Sequence, residues 1–423
     1  MKPTSTALLL ALTAGTFIPA PAAAQYGEPA AQQQSNAAPA GQQPTAEAKL
    51  KLSKGASKAI IELQTAVNAN DAANIPAKLA AAQAVAKTPE DRFAIARLQY
   101  TAATAAKDES ARAAALEALI ASGKVPPADV AAFNLELGDA YRKANQPDRA
   151  AAVFERVIAA DPNNLDVIGS LAELRASQGR TADAVGLIRK GIATRKASGQ
   201  KASEGWYKRA VALAYKDKLP DTMAIAREWV AAYPSPTSWH DAIAIYRNMA
   251  NPDDARLLDL LRLERAAGAL SGDEDFHKYA YLATEKGYGS EAKAVLDEGF
   301  AAGKIDRNTP LFKEITAGVA KKIAEDHASI AGAAAAGKSA STARAALSNG
   351  DLLYGAGQFA QAAEVYRGAL GKSGADASLI NLHLGAALAQ QGDKAGATAA
   401  LNAVTGANAD IAKLWLAYLA TRA

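Results

Sequence analysis

The chain has 423 residues, half of them apolar but only 6% aromatic and 21% charged, with a formal charge of +4 and no cysteine. Charges of both signs are interspersed, which excludes a nucleic-acid groove or a polybasic membrane patch; the missing cysteine excludes a disulfide framework, a lipoprotein anchor and thiol catalysis. The apolar fraction is dominated by alanine, which favours close-packed helices over a sheet, because alanine loses no side-chain entropy in a helix while sheets pack best with β-branched and aromatic residues.

Residues 1–24 read as a signal peptide. Lys2 supplies a short positive start, and residues 7–17 form a largely apolar run, too short for the roughly 20 residues of a membrane span. Pro19 and Pro21 break that run, and Ala22, Ala23 and Ala24 offer a small-residue cleavage site before Gln25. The expected address is the periplasm, with cleavage between Ala24 and Gln25. Cleavage would remove Lys2 and no acid, leaving +3. Residues 25–49 are mostly Gln, Ala, Pro and Gly. They cannot bury enough surface to offset ordering entropy, so a disordered linker is expected. No later stretch is apolar for long enough to span a bilayer.

Helical periodicity begins near Ala56. From there small residues recur at a five-residue offset: Asn145 and Ala150, Gly179 and Ala184, Gly287 and Ala292, Gly357 and Ala362, Gly392 and Ala397. The first of each pair suits a left-handed turn between two helices. The second is small where the helices cross, and a larger side chain would push them apart. Three units are clear. Residues 131–164 carry Leu137, Gly138, Tyr141, Ala150, Phe154 and Pro162. Residues 343–377 carry Gly350, Gly357, Phe359, Ala362, Tyr366 and Ala369. Residues 378–407 carry Leu384, Gly385, Leu388, Gly392, Ala397 and Leu401. Weaker units occupy 58–89, 90–125, 165–198, 203–235, 236–270 and 273–304; degenerate units are expected where an array begins, since one face meets water. Between 305 and 342 the register is poorest. Thr309 and Pro310 start a helix there, as N-cap and first helical residue, with Leu311, Ile315, Val319 and Ile323 along one face. The organisation expected is thus a repeat array over 50–305, a connecting helix and Ala/Gly loop over 306–342, and a C-terminal pair with a capping helix over 343–423. The cap, residues 410–422, shows Ile411, Leu414, Trp415, Tyr418 and Leu419 on one face.

These residues make the chain resemble the tetratricopeptide repeat (TPR) family from about residue 50 onward. The resemblance implies an all-α fold, an alpha-alpha superhelix of stacked antiparallel helix pairs. It also implies that the first helix of each pair faces a concave groove that holds an extended peptide or a partner helix. Carried over by position, the groove residues are Asp139, Arg142, Lys143, Glu173, Tyr207, His240, Arg247, Asn248, His277 and Tyr281. Tyr, His and Arg contribute much contact energy at interfaces, so a polar or mixed peptide is expected on the third to fifth repeats. Family members that clamp a terminal carboxylate place Lys and Asn where this chain has Leu135, Asp139 and Gly169, which speaks against that client. Phe154, Phe359 and Tyr366 fall at core positions, with Trp229 and Trp415 also read as core. Trp206 and Trp239 are placed to touch the preceding repeat.

Other chemistry is weighed against chance. The string 332–339, GAAAAGKS, satisfies the phosphate-binding pattern G-x-x-x-x-G-K-[ST], but that pattern works only after a buried strand and before a helix, and residues 324–331 continue a helical pattern. The four histidines, His240, His277, His327 and His383, are far apart and none has a second ligand at zinc spacing, so no metal or other cofactor is expected. There is no G-x-S-x-G nucleophile turn. Asp253 and Asp254, and Asp273 to Asp275, stand at helix starts, where acids complement the dipole. The resulting expectation is a non-enzymatic periplasmic scaffold that binds a protein or peptide in an envelope assembly or export process. The alternatives are a carbohydrate- or nucleotide-active enzyme on an all-helical frame, and a homo-oligomer built through the terminal helix.

Overall fold

The structure, a computed structural model, describes residues 51–422, with backbone alone over 324–328. The expected signal peptide 1–24 and linker 25–49 lie outside the described residues. Among the described residues there is no strand, only one isolated bridge between Thr342 and Ser373, and the helices follow one another in antiparallel pairs. The described residues fall into two compact units, divided between Leu213 and Ala214. The division falls inside the segment read as one array, not at the connecting helix.

The first unit contains α1 (Lys54–Asn68), α2 (Ile75–Val85), α3 (Pro89–Ala106), α4 (Glu109–Ala121), α5 (Val130–Lys143), α6 (Pro147–Ala160), α7 (Leu165–Ser177), α8 (Thr181–Ala197) and the start of α9 (Glu204–Lys216). From α1 to α8, each helix packs on the next in sequence. The core of α3 to α7 is built from Leu116, Leu119, Tyr141, Phe154 and Leu171. At the start of the unit, Asp91 is fully buried and accepts hydrogen bonds from the backbone N–H and the hydroxyl of Ser53 at 2.9 and 2.8 Å, and from the N–H groups of Lys87 and Thr88, each at 3.1 Å. Burial alone would raise its pKa, but those donors hold it well below the usual carboxylate range. The bonds tie the start of α1 to the cap of α3. On α1, Ile60 and Leu63 face the core, while Ile61 is 56% exposed.

The five small-residue pairs behave as their spacing predicts. Asn145, Gly179, Gly287, Gly357 and Gly392 all take positive φ, from 57° at Asn145 to 87° at Gly392. Ala150, Ala184, Ala292, Ala362 and Ala397 are all fully buried. A second spacing explains how closely the hairpins shut. A Cβ on Gly138 would lie 2.1 Å from the Phe154 ring, one on Gly350 would lie 2.3 Å from Tyr366, and one on Gly385 would lie 2.5 Å from Leu401. Each is closer than van der Waals contact allows, so a large side chain of the second helix sits where the first has only backbone. Replacing Gly138 by alanine should therefore destabilise the first unit by about 1–3 kcal/mol from overpacking, against a helix-propensity gain of about 1 kcal/mol. Thermal melts check this, and Gly138→Ala combined with Phe154→Leu should recover part of the loss.

The second unit holds α10 (Thr222–Ala232), α11 (Pro236–Ala250), α12 (Asp254–Ala266), α13 (Gly272–Glu285), α14 (Gly289–Ala301), α15 (Pro310–Ser339), α16 (Ala343–Gly355), α17 (Phe359–Ala369), α18 (Ala377–Gln391), α19 (Lys394–Asn402) and α20 (Ala409–Ala420). Thr309 and Pro310 start α15 as read, the Thr309 hydroxyl accepting from Phe312 N–H. Its buried face is Phe312, Ile315 and Val319, while Leu311 is 40% exposed. The helix runs unbroken to Ser339, so the Ala/Gly stretch expected as a loop is helix. Four consecutive alanines carry high helix propensity, and Gly337 fits closely because a Cβ there would lie 2.6 Å from Val365.

Like residues 382–388 of α18, the middle of α12 is enclosed. Residues 258–264 of α12 are all buried, including Asp259, Arg262 and Glu264. A helix buried on every side lies inside its unit rather than on its surface. Its neighbours include α11, α13 and α20. The terminal helix does more than cap the last pair. It packs on α18 and α19 and also returns to α10 and α12. The Tyr418 hydroxyl donates to the Ala266 carbonyl at 3.1 Å, and the Tyr418 ring meets Trp239 edge-on at 6.1 Å. Ile411, Leu414 and Trp415 are buried there, so the face read as able to pair two chains is covered within the unit.

Candidate partner-binding site

Around α12 the second unit builds a buried ionic core. Arg262 donates twice to Glu291, at 2.8 Å each, and once to Asp259 at 3.3 Å. Glu291 also accepts from the Tyr279 hydroxyl at 2.9 Å. His383 lies between Asp351, 2.7 Å from Nδ1, and Asp259, 3.1 Å from Nε2. Asp351 accepts from the hydroxyls of Tyr366 at 2.6 Å and Tyr288 at 3.0 Å. Burial alone would strip the proton from His383, but the two carboxylates outweigh it and raise its pKa to about 10. Burial pushes Asp351 the other way; His383 and Arg262 overcome it and lower its pKa to about 2. The core thus consists of paired charges with satisfied hydrogen bonds, which orders α12, α14, α16 and α18 around one another.

One wall of this core opens into a cleft of about 640 Å³. Its lining includes Arg262, Arg265, Tyr279, Glu298, Ile330, Tyr354, Gln358, Phe359 and Gln390. Both arginines are neutralised, Arg262 by Glu291 and Arg265 by a bidentate pair with Glu298. The guanidinium of Arg262 also lies 4.8 Å from the centre of the Tyr354 ring. The cleft therefore presents aromatic faces and side-chain amides rather than a net charge. Phe359, expected in the core, is only half-buried and lines this cleft.

The groove residues carried over by position are distributed otherwise. In the first unit Asp139 pairs with Arg142 at 2.6 Å and Lys143 at 2.9 Å on its own helix. Glu173 holds Arg209 through two hydrogen bonds of 2.8 and 2.6 Å, and Tyr207 is buried. In the second unit Asn248 donates to the Tyr215 hydroxyl at 3.1 Å. His277 stacks on Tyr281, which is 43% exposed. His240 and Arg247, both on α11, meet at the Asp275 carboxylate. His240 Nδ1 lies 2.8 Å from Glu264 and 3.3 Å from Asp275, and Arg247 donates to Asp275 at 2.9 Å. Hydrogen bonds to Asp275 and Glu264 raise the His240 pKa to about 10 against its partial burial. Burial raises Glu264 to about 7, with His240 pulling the other way.

The acid runs read as helix starts divide in the same way. Asp253 caps α12, accepting from Arg256 N–H at 3.0 Å. Asp275 accepts from Ser271 N–H at 3.0 Å and is also buried against His240 and Arg247. The phosphate-like string forms the last turns of α15. A helix C-terminus presents carbonyls, the wrong polarity for a phosphate. The Lys372 ammonium donates to the carbonyls of Lys338 and Ala340, and Lys338 pairs with Glu364 at 2.7 Å.

Helix pairs with a small residue at each crossing, stacked in chain order, define an α-helical repeat protein of the solenoid type. Residues 141–199, and separately 90–164 and 347–412, match family descriptions of the tetratricopeptide repeat. These stretches of the chain are tetratricopeptide repeats, and such repeats generally mediate protein–protein interaction. No curated protein matches it. Among solved structures it is similar to a tetratricopeptide repeat protein from Parabacteroides merdae ATCC 43184, at 12% identity over 70% of this chain and 99% of that one. The TM-score is 0.28.

Proposed function

We propose that the protein is a non-enzymatic scaffold that holds a segment of a partner protein in the cleft beside α12. The observation that carries this reading is the cleft itself, walled by Tyr279, Tyr354 and Phe359 and edged by Gln358 and Gln390. Aromatic faces supply contact area at little conformational cost, and the amides can pair with a peptide backbone. Because both arginines are already paired, the segment that fits is uncharged where it enters, with an apolar side chain as anchor. The paired state of Asp259, Glu291 and Asp351 supports a binding role over acid–base chemistry. A photocrosslinking residue placed at Gln390 should capture one recurrent partner in cells. The same residue at Lys313 on α15 should not, and one at Tyr281 tests the groove expected from repeat position. Capture at Tyr281 or Lys313 with none at Gln390 would remove the cleft from consideration.

The compartment belongs to the same proposal. Lys2, the apolar run at 7–17 and the alanines before Gln25 support export to the periplasm, where the scaffold would serve envelope assembly or export. Mass spectrometry of the mature protein from a periplasmic extract should find an N-terminus at Gln25. A cytoplasmic chain starting at Met1 would contradict this.

A further inference from the structure

Three side chains from three different helices converge in the second unit: His240 of α11, Glu264 of α12 and Asp275 of α13. One ligand atom of each lies within 4.8 Å of the others. Glu264 is fully buried, and while its Oε1 faces His240, its Oε2 has no hydrogen-bond partner. An unpaired oxygen on a buried carboxylate is costly, and this one belongs to the group that completes the cluster. Asp275 accepts from Ser271 N–H on Oδ2, the oxygen that faces His240, and from Arg247 on Oδ1. Hydrogen bonds of this kind fix the orientation of ligating carboxylates in metal sites. The His240 side chain is 34% exposed, which leaves an approach from solvent.

From this geometry we infer that His240, Glu264 and Asp275 form a binding site for a divalent transition-metal ion, with zinc the best match. One imidazole nitrogen and two carboxylate oxygens are a zinc-type donor set, and three protein ligands leave a fourth position for water. Ligands at about 2.0–2.1 Å from a tetrahedral ion stand about 3.3 Å apart. His240 Nδ1 is 3.3 Å from Asp275 and 2.8 Å from Glu264, so small side-chain shifts admit the ion. Without metal, a proton on His240 joins the same two acids. Metal and proton therefore compete for one nitrogen. The site joins α11, α12 and α13, so a bound ion cross-links three successive helices of the unit.

The test uses the full mature chain without an affinity tag, titrated with ZnCl₂ by calorimetry at neutral pH. One ion per chain should bind. His240→Ala and Asp275→Asn should each weaken binding by at least about tenfold, while His277→Ala, which alters a histidine outside the cluster, should not. Zinc should also raise the melting temperature of the unaltered protein. Should the variants fail to fold, the unaltered chain labelled with ¹⁵N-histidine gives a second reading: zinc should shift the Nδ1 resonance of one imidazole among the four. No binding, binding indifferent to His240→Ala, or no shifted imidazole would overturn the site. The partner-binding cleft would be untouched by that result, because its lining shares none of the three ligands.

Discussion

Replacing Arg262 by alanine should cost the second unit about 3–5 kcal/mol, the usual loss when one member of a buried charge pair is removed and the other is left behind. Here the loss strands more than one acid. Glu291, fully buried, would keep only the Tyr279 hydroxyl, and Asp259 would keep only His383. The Arg262 guanidinium also packs against Tyr354, so truncation opens space beside the cleft. Hydrogen-exchange mass spectrometry in mild denaturant is the direct measurement. Protection should fall across residues 214–422 and hold across 51–213. Tryptophan emission should follow the same loss, since Trp229, Trp239 and Trp415 lie in the second unit. A paired replacement, Arg262→Met with Glu291→Gln, should recover part of the stability, because a neutral core no longer carries an uncompensated charge. An Arg262→Ala protein with wild-type exchange across 214–422 would show that the ionic core does not hold this unit together.

Raising the pH should loosen the same unit. His383 has a folded pKa of about 10, above the 6.5 of a free imidazole. Its contribution is therefore complete below pH 6.5 and is lost as pH climbs through 10. Asp351 has the opposite sign. Its folded pKa of about 2 lies below 3.8, so its contribution is present above 3.8 and disappears as pH falls through 2. Together they predict a stability plateau between about pH 4 and 6.5, with a decline of a few kcal/mol toward pH 10. The groups facing His383 favour this window. Of the groups around it, Asp351 stays ionised across that window, Arg262 stays charged, and the Tyr366 phenol is pushed well above its ordinary range by burial and by Asp351. Denaturant melts at several pH values, compared with those of His383→Gln, should show the wild-type decline reduced in the variant. Equal slopes would mean that His383 is not protonated in the folded protein.

The hairpins were legible because each depends on residues close in sequence. A turn at Gly357 and a crossing at Ala362 are set within one pair, so spacing alone placed them. The site was less legible because it depends on residues far apart. Asp259 meets His383 across 124 positions, and His240 meets Glu264 across 24. No periodicity within a repeat encodes such meetings. One local signal was available. The stretch 258–264, LDLLRLE, sets three charged residues among four leucines. A surface helix would gather those charges on one side, so charges on several faces mark a helix buried among counter-charges. Phe359 shows the opposite failure. Its family position predicts packing, yet it follows the Gly357 turn at the lip of the cleft and is left half open.

The enclosure of α12 has a consequence for how the chain must be made. A ribosome releases α12 long before α18 or α20, and the groups that finish its surroundings, His383 and Tyr418, arrive 124 and 152 residues after the atoms they meet. Until then Asp259 and Arg262 have incomplete company, and the early helices of this half wait unfinished. A stack whose steps touch only their neighbours can settle from one end as it emerges. This half cannot, because its centre is sealed by its last helix. Losing the final dozen residues should therefore be felt at the middle of the unit, not just at its tip.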